Sequence, residues 1–404
     1  MVHPTPHASR IRVGALVVTA IALAAGTATA SRAATAPVPR VQDGSTPLGA
    51  SIDALSRLDY DSRVRAARAI RRAPAEVAVP ALLEAARHHA DGYVRYKALV
   101  LASGFHDPRT VVTATALLTD PNDRLRAVAY DLLAVTPDIA LRPQLLAALD
   151  REGSEFVRPA LLRALVAVAG DAAVEGALLR DVGRGEDYFR SAVIEALGRA
   201  RAAFAVPALA TVLRGDGPLV ADAAVALGRM RSPESLAVLD AAAGVTAPSA
   251  SAAVRAAQCL AGRDCAQTVA TLTAALQAAN EPSTTPAQRR ATTAALAALA
   301  AAGQPEAIRA TVVLGLAAAD SMRGPLALAL AAGALQAPEP LFDVLRTVPD
   351  QAVAIRLLAE GFDLLDEDLG KEQFFTHVRR AYWEAPEGAP MRGLMQSLME
   401  TLDF

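Results

Sequence analysis

The chain is poor in lysine, aromatics, cysteine and histidine, and each shortage excludes something. Lys97 and Lys371 are its only ammonium side chains, so arginine carries nearly all the positive charge. That bias, with the excess of alanine, fits a GC-rich bacterial genome better than arginine-based recognition. Aromatics are 4% of residues against 53% apolar overall, which suits alanine-lined helices in close contact and poorly suits a β-sandwich. Forty basic and 42 acidic residues leave a formal charge of −2, so no overall field favours nucleic acid or an anionic membrane. The six histidines (His3, His7, His88, His89, His106 and His377) form no His-Glu pair and no His-x-x-x-His helix motif, so no metal or other cofactor is expected. A Gly-x-Ser-x-Gly elbow, a phosphate-cradling loop and a dinucleotide fingerprint are also missing, and the chain is not expected to be an enzyme.

No apolar run near the start is long enough to span a bilayer. Val13 to Ala25 gives thirteen residues, against roughly 20 for a membrane helix. Arg10 and Arg12 precede this run, and Ala28-Thr29-Ala30 follows it as a small-x-small cleavage site. Residues 1–30 therefore read as a signal peptide, with export to the periplasm or medium and no membrane span after its removal. Residues 31–46, rich in proline, serine and small side chains, read as a disordered linker.

What the chain does have is a period. A dipeptide ending in arginine recurs as Val64-Arg65, Val94-Arg95, Leu125-Arg126, Val157-Arg158 and Phe189-Arg190, lapses at Leu219-Val220, and returns as Val254-Arg255. Successive arginines are almost evenly spaced, and the last step is close to twice the others because Val220 stands where its middle arginine would be. A fixed interval of this size marks a solenoid, whose units bury their apolar faces only against their neighbours. Each unit reads as two helices. In the second, Phe189, Val193, Ile194 and Leu197 share one face. Gly104, Gly170, Gly198, Gly228 and Gly262 then read as left-handed helix stops. The first helix enters through Val79-Pro80, Arg142-Pro143 or Val206-Pro207, proline being tolerated in a first turn.

The Val-Pro-Ala-Leu entry, the acidic turn before Val-Arg and the Ala-Leu-Gly exit resemble HEAT repeats in their short bacterial, phycobilisome-lyase-like form. This resemblance covers about residues 47–265. It implies an all-α, right-handed α-solenoid of antiparallel helix pairs with a period of about 31 residues, the second helices lining the concave side. Residues 266–404 read as degenerate helical repeats ending in a cap. In that last segment Asp363, Asp366, Glu367 and Asp368 form an acidic cluster. Phe374, Val378 and Tyr382 recur four residues apart, and Met391, Leu394, Met395, Leu398 and Leu402 make an apolar stripe. A docking helix for a partner is the alternative there.

Asp61, Asp91, Asp123, Glu155 and Asp187 sit three or four residues ahead of Arg65, Arg95, Arg126, Arg158 and Arg190. These arginines read as a structural ladder from each unit to the acidic turn of the next. Tyr93, Tyr96 and Tyr188 are the candidate contacts for a partner on the concave face, with packing between units as their other reading. Cys259 and Cys265 are either reduced core residues or, in an exported chain, a disulfide. The resulting expectation is an exported, noncatalytic scaffold that binds a protein through its concave face. The alternative, a lyase-type enzyme related to HEAT-like bilin lyases, finds no chromophore site in these residues.

Overall fold

The computed structural model describes residues 47–244, 248–278, 285–317 and 320–402. The signal peptide and linker expected over 1–46 lie outside the described residues. Among those described there are twenty-two α-helices and no strand. They follow as α1 (Pro47–Asp53) with α2 (Tyr60–Arg72), α3 (Ala75–His88) with α4 (Gly92–Ser103), α5 (Arg109–Ala116) with α6 (Asp123–Val135), and α7 (Arg142–Leu149) with α8 (Val157–Ala167). Next come α9 (Ala172–Gly183) with α10 (Asp187–Arg199), α11 (Val206–Arg214) with α12 (Val220–Met230), α13 (Pro233–Ala242) with α14 (Pro248–Leu260), and α15 (Cys265–Gln277) with α16 (Pro286–Ala301). The chain ends in α17 (Pro305–Ala317) with α18 (Asp320–Gln336), α19 (Pro338–Thr347) with α20 (Gln351–Leu364), and α21 (Asp368–Glu384) with α22 (Pro390–Thr401).

Short turns make each pair antiparallel, and the pairs stack in order. From α6 to α20 the even-numbered helices press closely on one another, while the odd-numbered ones are spread more widely. In a curved double layer the tighter row is the inner arc, so the second helices line the concave side.

Glycine and alanine permit that tightness. A Cβ on Gly198 would stand 2.6 Å from the Ala226 backbone, and one on Gly228 would stand 2.4 Å from the Ala257 carbonyl oxygen. Gly333 meets Ala300, and Gly361 meets Ala327, in the same way. This corrects the reading of Gly198 and Gly228 as helix stops, since both lie inside their helices. The left-handed residues there are Arg201 and Arg231, three positions further on. Arg231 spends its side chain on the Leu260 carbonyl, to which its Nε donates at 3.1 Å. Gly170 and Gly262 do take positive φ, as a stop requires. Pro143 and Pro207 open α7 and α11 as expected, but Pro80 lies within α3, which begins at Ala75.

Stacking continues past Cys265 without a break. One apolar cluster runs from Ile52 to Ala257, a second from Ala252 to Leu398, and the two meet within α14. In α22 the buried residues Leu394, Met395 and Leu398 close the second cluster against α19 and α20.

Candidate functional site

The last pair breaks the order of the stack. Where α22 caps the array, α21 turns back across the concave face to touch α18 on one side and α4 on the other. It thereby joins residues far apart in the chain, Tyr96 to Asp368 among them. Leu369 enters the N-terminal apolar cluster, while Phe374 and Val378 enter the C-terminal one. Its polar contacts are denser. Arg71 of α2 donates to Glu372 through Nε at 2.9 Å and Nη2 at 2.6 Å, and Arg379 adds a contact at 3.5 Å. Glu372 is 1% exposed and its side chain fills the space where Gly104 has no Cβ, at 2.6 Å from where that atom would stand. Gly104 itself keeps right-handed φ, so here the glycine serves a contact rather than a left-handed turn.

Asp368 opens α21 and receives both Tyr96 Oη, at 2.5 Å, and the Lys97 ammonium. Tyr96 is therefore buried against its own C-terminal helix and does not face outward, a correction to its reading as an open partner contact. Burial, then the adjacent Asp368, push its phenol pKa well above the ordinary value. Burial disfavours the Asp368 carboxylate, but Lys97 and the Tyr96 hydroxyl outweigh it and hold its pKa below 3.8. An acid with a depressed folded pKa adds stability above its unfolded value and loses it as pH falls through the folded one. Acid therefore weakens this end of α21.

Beneath α21 lies a second polar row. Lys97, Asp131, Arg163, Glu195 and Arg229 recur once per unit, with alternating charge along α4, α6, α8, α10 and α12. Arg163 holds Asp131 at 2.8 and 3.1 Å. Desolvation on the crowded inner face raises the Glu195 pKa although half of the side chain is exposed, yet Arg199, Arg229 and Arg163 more than offset this and keep it low. Desolvation on the same face drives the Glu367 pKa up despite Arg163, although the residue keeps an exposed surface. Asp131, Arg163 and Glu195 stand five residues beyond Arg126, Arg158 and Arg190, so for these three the signal is the repeat period itself.

The Val-Arg arginines carry rungs to the next unit at three positions. Arg95 pairs with Asp120, Arg126 with Glu152 at 3.1 Å, and Arg158 with Asp181 at 2.6 Å. The acids at the rungs thus differ from those flagged in the sequence. Asp91 instead caps α4, accepting from Tyr93 and Val94 N–H groups. Arg65 stays local with Ser62, and Arg190 binds the Val182 carbonyl and Asp187 within its own unit. Arg126→Ala and Arg158→Ala are each expected to lower stability by about 2 kcal/mol, because a largely buried acid is left without its partner. Urea unfolding followed by far-UV circular dichroism measures this; unchanged midpoints in both variants would remove the ladder from the account of stability.

Along the rim, at the N-terminal ends of the inner helices, runs a stripe of rings and cations. Tyr93 is 38% exposed and Phe156 52%. The Arg124 guanidinium lies 6.0 Å from the Tyr96 ring centre and 5.9 Å from that of Phe156. Tyr188, half-buried, donates to the Glu155 carbonyl at 3.1 Å and stacks edge-on with Phe189 at 5.3 Å. Cys259 and Cys265 are joined in a disulfide, with Cα atoms 4.6 Å apart, that ties the end of α14 to the start of α15. Among the described residues no helix is long and apolar enough to cross a membrane.

These features define a class: an all-α solenoid built of stacked antiparallel helix pairs with arginine-to-acid rungs between units, the architecture that the resemblance to HEAT repeats implied. No family profile matches the sequence, and no curated protein matches it. Among solved structures the chain is similar to Kap121p, at 15% identity and TM-score 0.31 over 87% of this chain and 40% of that one. It is also similar to the Kap95:Nup1 complex, at 14% identity and TM-score 0.36 over 88% and 57% of the two chains. A third likeness is to the complex of CpcE and CpcF of phycocyanin lyase from Nostoc sp. PCC7120, at 19% identity and TM-score 0.31 over 82% and 100%. The chain spans well under two thirds of the length of Kap121p.

Proposed function

We infer that the protein is an exported, noncatalytic scaffold that binds another protein, and that contact is made along the rim of its concave face by Tyr93, Phe156 and Tyr188, with Arg124 between them. The observation that carries this reading is the stripe itself. Rings stand on the rim in three of the four units from α4 to α10, with Arg124 in the fourth, and Tyr93 and Phe156 stay exposed where α21 has covered Tyr96 beside them. Exposed rings interleaved with arginine are the side chains that concentrate binding energy at protein interfaces, and a repeat array lets modest contacts add along a line. Turnover would need an activated nucleophile, base or metal in fixed geometry. The two cysteines are bonded to each other, and His89 faces Asp53 at 3.2 Å on the outer surface. Export rests on the positive, apolar and small-x-small order of residues 10–30, and a disulfide is at home outside the cytosol.

The test uses the full chain, tagged at its C-terminus and recovered from the exported fraction. Amino-terminal sequencing should begin at Ser31. A variant with Tyr93→Ala, Phe156→Ala and Tyr188→Ala should lose the proteins that co-purify with the wild type while melting at a similar temperature. Undiminished capture by that variant sinks the rim as the contact surface, an intact Met1 on exported material sinks cleavage, and turnover of a substrate sinks the noncatalytic reading.

A further inference from the structure

The contacts that hold α21 to the N-terminal repeats have one sign on each side. The acids Asp366, Asp368 and Glu372 stand on the C-terminal segment, and the cations Arg71, Lys97 and Arg124 stand on α2, α4 and α6. Of the buried apolar residues of α21, Leu369 belongs to the N-terminal cluster, while Phe374 and Val378 belong to the second. The charged contacts also grade outward. Glu372 is buried against Arg71, the Asp368 and Lys97 side chains are each 23% exposed, and Arg124 lies 4.0 Å from Asp366 with both largely exposed. Water and salt reach the outer contacts first, so the acidic leader can leave before the buried pair does.

We propose that Arg71, Tyr96, Lys97 and Arg124 form a binding site for an acidic peptide segment, and that the chain's own Asp366–Glu372 is its resident occupant, displaced by an acidic segment of a partner. Tyr96 and Lys97 converge on one carboxylate oxygen, and Arg71 grips a second carboxylate through two nitrogens. Bidentate arginine and paired donors of this kind select carboxylates by geometry as well as charge. Thr376 donates to the Gly104 carbonyl at 3.5 Å, so the occupant enters as the first turns of a helix whose acids point at the cations. Tethering gives the resident segment a high effective concentration, which a partner must match by affinity or by binding elsewhere as well. The site shares Arg124 with the rim, but its test changes Asp368 and Glu372 while the rim test changes Tyr93, Phe156 and Tyr188, so the failure of one is distinguishable from the failure of the other.

The probe is a fluorescent synthetic peptide of residues 363–384, titrated into the full-length wild type and into Asp368→Asn/Glu372→Gln by anisotropy. The double variant weakens the resident segment and leaves the cations in place. It should bind the peptide about tenfold or more tighter than the wild type does, with affinity falling as salt rises. A peptide with its Asp and Glu residues changed to Asn and Gln should bind neither chain. Equal affinity for wild type and folded variant overturns the proposal, as does equal binding of the neutral peptide. Should the double variant lose its helical spectrum, hydrogen exchange of the wild type at low and high salt decides. Selective acceleration in α21, with α12 and α14 unchanged, supports the displaceable occupant; α21 protection that ignores salt overturns it.

Discussion

Glu372→Ala is expected to cost about 3 kcal/mol, the range set by removing one member of a buried, hydrogen-bonded ion pair. The cost comes mainly from what remains. Arg71, whose side chain is 12% exposed, would keep its charge without its carboxylate, and Arg379, whose cation burial already disfavours, would lose its nearest acid. Arg71→Ala should cost a similar amount by leaving Glu372 charged and enclosed. The paired change Arg71→Leu with Glu372→Leu should cost less than either alanine change, because only Arg379, whose side chain is 27% exposed, is then left without its acid. The loss should not be shared evenly over the molecule, since repeat arrays unfold by neighbouring units. Hydrogen exchange should show α21 and the end of α4 opening first, and differential scanning calorimetry should show an early transition. If Glu372→Ala melts as the wild type does, α21 is not held by this pair.

The fold was open to reading because solenoid order is local: each unit meets the next one period further along the chain, so spacing alone discloses the helix pairs. The rungs were half visible for the same reason. Arg95, Arg126 and Arg158 do reach the next unit, but their partners Asp120, Glu152 and Asp181 lie just ahead of the acids that the Val-Arg motif draws attention to. Asp131, Arg163 and Glu195 keep the same period, but no motif marks them. What the sequence does not display is the return of α21 to α4. That contact depends on curvature accumulated over many close helix approaches, and no pattern near Asp368 points to Tyr96, 272 residues earlier. The acidic cluster and the tyrosine both stand out in the sequence, the one in a segment read as a terminal cap and the other as a candidate partner contact, with nothing to join them. The structure joins them to each other. Curvature also explains the glycine misreading, since Gly198 and Gly228 set how closely the inner arc packs rather than where a helix ends.

Gly361→Ala is expected to lower stability by about 1 to 2 kcal/mol, because overpacking at a close helix contact outweighs the intrinsic preference of helices for alanine. That preference favours the change by about 1 kcal/mol in a helix interior. Packing opposes it: the new Cβ would stand 2.1 Å from the Ala327 carbonyl oxygen, 2.6 Å from its carbon and 2.9 Å from the Ala331 Cβ. A carbonyl inside a helix cannot rotate away, so α18 and α20 must separate, and overpacking of this kind costs roughly 1–3 kcal/mol or more. The two helices belong to the inner arc, so their separation also opens the curve that brings α21 onto α4. Gly176→Ala provides the opposite sign within the same molecule. Gly176 lies in α9 on the outer row, exposed, with nothing within 4 Å of the position a Cβ would take. There only propensity and unfolded-chain entropy act, and the change should stabilise by about 0.5 to 1 kcal/mol. Thermal melts of both variants, with small-angle scattering of Gly361→Ala to record a looser curvature, measure the contrast. Two changes of the same sign would show that close approach along the inner arc does not set the stability of this solenoid.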